Sequence, residues 1–113
     1  MRKARLAALM LVLPALLIAA APALSKRKSV EVDDNYFVRD GSPRTVTVKK
    51  NDTVVWEWEG SNPHNVTVTR GPAKFNSKTK TSGSYSKKLT RRGTYRILCT
   101  VHAPGMRMKV KVE

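Results

Sequence analysis

Beyond position 23 the apolar residues recur at every second position. Val30 and Val32 flank a glutamate, Val46 and Val48 alternate with Thr and Lys, and Val54, Trp56 and Trp58 continue the spacing. Val66 and Val68, then Tyr95, Ile97 and Cys99, then Val110 and Val112 repeat it. A period of two is that of a strand with one face buried, because successive side chains point to opposite sides of a pleated backbone. Turn-forming residues separate the runs: Asp40-Gly41-Ser42-Pro43, Asn51-Asp52, Gly60-Ser61-Asn62-Pro63, Gly71-Pro72 and Arg92-Gly93. The pattern predicts about seven short strands in an all-β antiparallel sandwich or barrel, with Trp56 and Trp58 as core residues of one parity. No stretch carries a helical period and no segment repeats. Gly71 to Ser84, rich in Lys, Ser and Thr, reads as a long surface loop.

The first 23 residues break this pattern. Arg2, Lys3 and Arg5 precede an apolar run from Leu6 to Ala20, which ends in the small-residue site Ala21-Pro22-Ala23. These are the three parts of a secretory signal peptide, so residues 1–23 are expected to be cleaved and the protein exported, to a periplasm or to the cell exterior or surface. The alternative is a retained anchor from Leu6 to Ala23, which Pro14 and Pro22 interrupt. The remaining 24–113 segment is a single small domain with twelve Val and ten Thr, too short for a large enzyme. Its one cysteine, Cys99, cannot form an internal disulfide, and a lone thiol in an oxidising compartment needs protection. Metal ligation would provide it.

Cys99, His102 and Met106 fall within eight residues, where a strand ends and Pro104-Gly105 forces a turn. His64 follows another turn and opens the strand at Val66, so it can approach from a neighbouring strand end. Singly, each residue has a bland explanation: a buried small hydrophobe, a solvated or capping histidine, a core methionine. Jointly they do not, because both histidines of the chain and its only cysteine are used at the spacing one site demands. Two imidazoles, a thiolate and a weak axial thioether are the ligand set of a blue-copper site, which suits Cu(I) and Cu(II) without being ideal for either. Binding requires the thiolate and neutral imidazoles.

On these residues the chain resembles the small blue-copper cupredoxins, especially the plastocyanin, pseudoazurin and amicyanin group. The likeness runs through Val46 to Trp56, Pro63-His64-Asn65-Val66, Gly93-Thr94-Tyr95 and the C-x2-H-x3-M loop from Cys99 to Met106. It implies a Greek-key β-sandwich over 24–113, one copper per chain, and electron carriage. Implied ligands are His64, Cys99 and His102 in the equatorial positions and Met106 in the axial one. Asn65 is implied as a supporting residue, its N–H bonded to the thiolate and its side chain tying the His64 segment to the Cys99 loop near Thr100. One departure stands out: where family members commonly carry glycine two residues after the axial methionine, this chain has Met108. Met106, Met108, Val110 and Val112 share parity, so Met108 is the rival axial ligand, disfavoured because it would need a larger loop.

His64 and His102 exhaust the histidines, which leaves none for a second copper centre. A Cys99–His102 nucleophile pair lacks a nearby orienting acid, so a carrier is favoured over an enzyme. The resemblance implies His102 at the surface, in an apolar patch of Pro63, Ala103, Pro104 and Gly105 that would serve as the electron door. Copper storage or delivery is the competing function, and a metal-free adhesion domain a third. Segment 24–113 carries 19 basic against 8 acidic residues, including Lys26-Arg27-Lys28, Lys74, Lys78, Lys80, Lys87, Lys88, Arg91 and Arg92. Redox partners with acidic surfaces are therefore expected, with an anionic membrane or wall surface as a further candidate. Nucleic acid is not expected, since few aromatics are free to stack, and a monomer is. The glycosylation patterns Asn51-Asp52-Thr53 and Asn65-Val66-Thr67 are read as chance, one in a hairpin turn and one beside a ligand.

Overall fold

The alternating runs become strands in a computed structural model that describes residues 24–38 and 44–113. The expected leader and the turn at Asp40 to Pro43 lie outside those residues. The elements are β1 (Arg27–Asp33), β2 (Tyr36–Val38), β3 (Thr45–Val48), β4 (Thr53–Trp58), β5 (Thr67–Arg70), β6 (Ser84–Lys88), β7 (Gly93–Leu98) and β8 (Arg107–Val112). A single 3-10 turn, Thr100–His102, joins the last two. Two four-stranded sheets result, ordered β2-β1-β4-β6 and β3-β8-β7-β5.

Their inner faces hold the predicted alternation. In β8, Met108, Val110 and Val112 are buried while Arg107, Lys109 and Lys111 face water. Val30, Val32, Val46, Val54, Trp56, Trp58, Tyr95 and Ile97 meet them in one core. Each fully buried valine contributes roughly 1.5–3 kcal/mol, so the shared core is what holds two such short-stranded sheets together. Where the chain crosses from β6 to β7, the Tyr95 hydroxyl donates to the Arg91 carbonyl at 2.8 Å and pins the corner.

The sandwich is as expected, with three refinements. Strands β2 and β6 join the count: β2 is only three residues long, and β6 is an exposed edge whose Tyr85 alone is half-buried, so neither carries a legible period. Two pairings, β1 with β4 and β3 with β8, are parallel. The chain changes sheet between β2 and β3 and again between β3 and β4, which lets strands distant in sequence lie side by side in the same direction. The 71–84 segment is mostly loop, pinned by two isolated bridges, Thr67 to Asn76 and His64 to Lys80.

The β3–β4 turn also anchors the start of β1. Asn51 takes a φ of 75°, a left-handed conformation that asparagine tolerates. Asp52 then accepts the backbone N–H groups of Lys26 and Lys49, each at 2.9 Å. These two bonds, Lys26 first, hold the carboxyl below the ordinary aspartate value of 3.8. A depressed carboxyl stabilises the fold above its unfolded value, and that contribution fades as pH falls through the folded one. Asp52→Ala is expected to lose about 1–3 kcal/mol in urea denaturation at neutral pH, since it strands two amides. The loss should be smaller in strong acid, where the ionised-carboxylate part of the stabilisation is gone; an equal loss at both would refute the linkage.

Candidate metal centre

β7 and β8 are antiparallel neighbours, and the loop joining them carries three of the four expected ligands. Its closure prolongs the strand ladder by one bond, Cys99 N–H to the Met106 carbonyl at 2.9 Å. Inside it, His102 N–H donates to the Cys99 carbonyl at 3.3 Å and Met106 N–H to the His102 carbonyl at 3.2 Å. His64 arrives from the other side, at the end of the Gly60–Pro63 turn. Lys80 clamps it there by reciprocal backbone bonds of 3.0 Å each.

Asn65 ties the two sides together. Its side-chain nitrogen donates to Thr100 Oγ1 at 2.7 Å and to Thr79 Oγ1 at 3.0 Å, and its oxygen accepts from the Thr100 N–H at 3.1 Å and from Thr67 Oγ1 at 2.9 Å. The expected tie between the His64 segment and the ligand loop is therefore present. At 4 % exposure, Asn65 is also closed to glycosylation in the folded chain.

The three equatorial residues converge. His64 Nδ1 lies 3.2 Å from His102 Nδ1, and Cys99 Sγ lies 3.9 Å and 3.7 Å from the two nitrogens. A point equidistant from these atoms is about 2.1 Å from each, close to ordinary metal–imidazole and metal–thiolate bond lengths of roughly 2.0–2.3 Å. One ion therefore fits in the plane of the triangle, the arrangement of a trigonal His2Cys site with a weak axial ligand. Cys99 and His64 are fully buried, and His102 is half-buried. Met106 is buried beside Cys99 in the same core cluster. Met108 is occupied elsewhere: its sulfur accepts the Trp56 indole N–H at 3.4 Å.

Asp34, absent from the sequence-based candidates, completes the site. It sits in the two-residue turn between β1 and β2, and its Oδ1 is 3.0 Å from His64 Nε2. A ligand histidine whose outer nitrogen bonds a carboxylate is fixed in tautomer and ring orientation, with Nδ1 left free for the metal. Asp34 is itself held by the N–H groups of Asn62 at 2.8 Å and Ser61 at 3.1 Å. Those bonds, Asn62 before Ser61, together with His64 keep the carboxyl well below the usual carboxylate range. Gly60 is required by the close approach, since a Cβ there would meet Asp34 Oδ1 at 2.2 Å and its backbone nitrogen at 2.9 Å. The legible signal was the Gly60-Ser61-Asn62-Pro63 turn; nothing in the sequence says which acid it receives.

Asp34→Asn should keep the fold and the visible colour of a copper-loaded sample while weakening copper affinity about 10- to 100-fold in a chelator competition. Unchanged affinity would show that His64 does not need this partner.

The donor geometry agrees with the comparisons. Residues 27–113 match the family of copper binding proteins described as the plastocyanin/azurin family. Among solved structures, an oxidised methionine-to-leucine variant of amicyanin is 31% identical over 76% of this chain and 81% of its own, with a TM-score of 0.64. A Cu(I) methionine-to-alanine variant of amicyanin is 32% identical over 77% and 82%, with a TM-score of 0.65. A copper-containing nitrite reductase from Thermus scotoductus SA-01, 20% identical over 77% of this chain and 22% of its own at a TM-score of 0.63, shares the fold. No curated protein matches. His64, Cys99 and His102 are thus positioned to bind one copper, and the chain belongs to the plastocyanin/azurin family of copper-binding proteins.

Proposed function

We infer that this is an exported, monomeric type 1 copper protein that carries single electrons between redox partners and catalyses no reaction of its own. Copper held by His64, Cys99 and His102 would supply the Cu(I)/Cu(II) couple, with Met106 as axial ligand. The observation that carries the reading is the placement of His102. It is the one ligand that reaches the surface, half-buried amid exposed Pro63, Val101, Ala103, Pro104 and Gly105. A partner docked on that small apolar rim comes close to the metal without opening the site, and a small contact allows fast release. The backbone bonds that close the ligand loop and the Asp34–His64 bond hold the donors in one arrangement, so little has to move when the charge on the metal changes.

Met106 is preferred over Met108 on two grounds. Its own N–H and carbonyl bond to the two ligand residues of the loop, and the Met108 sulfur already serves Trp56. Met106→Gln is expected to change the visible spectrum of the copper-loaded protein. Met108→Gln should leave the spectrum alone and lower thermal stability, because it places an amide in the core. An altered spectrum in the second variant only would reverse the assignment.

Adding Cu(II) to the purified protein should produce an intense blue or green colour, and voltammetry should show a reversible one-electron wave. Colour with sluggish or irreversible exchange would favour copper storage or delivery by the same ligands.

A further inference from the structure

The basic residues that stand out in the sequence are partly engaged within the chain. Lys80 lies over the Trp58 ring and Lys87 over Phe75, while Lys74 and Lys80 also donate to the carbonyls of Thr69 and Ser84. A different set has no side-chain ion pair among the described residues. An open groove of about 750 Å³ crosses the outer face of the β3-β8-β7-β5 sheet, with Arg44, Arg96, Arg107 and Lys109 along it and Leu98 and Pro104 at its upper end. The strand register places Arg96 opposite Lys109, and beyond a β-bulge after Val68 it pairs Arg70, at the edge of the groove, with Arg96, so three like charges follow one another across three strands. Like charges directly opposite one another destabilise a sheet, so the fold gains nothing from this row.

Among the described residues no ion pair relieves it: the two present are His64 with Asp34 and Lys111 with Glu113. The acids that lie within described strands are all on the other sheet, Glu31 and Asp33 on β1 and Glu57 on β4. The upper end of the groove is the ligand loop itself, for Leu98 precedes Cys99 and Pro104 lies two residues beyond His102.

We propose that this groove is the docking surface for an acidic redox protein, whose carboxylates neutralise the Arg70–Arg96–Lys109 row and Arg107 while its electron-exchanging edge rests on Pro104 beside His102. The assignment deepens the carrier reading and rests on it. An unfavourable row of cations is retained where an anionic partner would turn it favourable, and the field above it would steer that partner in.

Reduced plant-type [2Fe–2S] ferredoxin, an acidic protein of low potential, serves as the probe. One electron leaves its cluster and Cu(II) becomes Cu(I). Stopped-flow rates are compared for the copper-loaded parent, the triple variant Arg96→Glu/Arg107→Glu/Lys109→Glu, and a control of equal charge change at the far end, Lys50→Glu/Lys88→Glu/Arg91→Glu. At low ionic strength the groove variant should react about tenfold or more slowly and lose its salt dependence, with the control within roughly threefold of the parent. Neutral Gln at the same three positions should give a smaller effect of the same sign. In a non-reactive mixture of Cu(I) protein and oxidised ferredoxin, amide shifts should map to residues 96–98, 104 and 107–109.

Equal rates in all three proteins, or shifts centred elsewhere, overturn the groove while reversible voltammetry leaves the carrier reading standing. Irreversible voltammetry of the parent overturns that reading instead. Groove-dependent binding to phosphatidylglycerol vesicles, with ferredoxin rates unaffected, would assign the face to a membrane and overturn the proposal.

Discussion

One constraint governs the molecule: a sulfur and two imidazole nitrogens must be kept within 4 Å of one another at one end of a small sandwich. Polar groups crowded together inside protein are costly unless each has a partner. The outer nitrogen of His64 has Asp34, and its inner nitrogen faces only His102 and Cys99. An ion in the triangle completes that set. Around it the chain supplies no slack: Asn65 bonds the ligand loop, Lys80 bonds the His64 backbone, and the Cys99–Met106 bond seals the loop.

This arrangement explains why so much of the fold converges at one end. β7 and β8 form the inner pair of their sheet, and the loop between them is anchored on both sides by the core. The β1–β2 turn reaches over from the other sheet to place Asp34. A break in either sheet would therefore be felt at the metal, which couples thermodynamic stability to ligand geometry. Charge is distributed with the same economy. The acids gather on the β1–β4 side and at the His64 support, and the opposite face is left basic up to the edge of the ligand loop.

Much of this was legible beforehand. The period of two marked six of the eight strands among the described residues, because Val, Trp, Tyr and Ile alternate there with residues that face water. It missed β2 and β6: a three-residue strand has no measurable period, and an edge strand exposed on both faces has no apolar side to reveal it. The donor residues were legible for a simpler reason. Histidine and cysteine are so scarce in this chain that their spacing alone carried the site.

The sequence by itself determined which atoms can bind the metal, which side of each strand is buried, and that the surface is cationic, since these follow from side-chain chemistry and from periodicity along the backbone. Only the tertiary structure decided that Asp34, thirty residues away, supports His64, that two strand pairs run parallel, and that Arg70, Arg96 and Lys109 stand in one row. Each of these depends on which strands become neighbours and in what register, and that is settled by burial of the shared core rather than by any local preference of the chain.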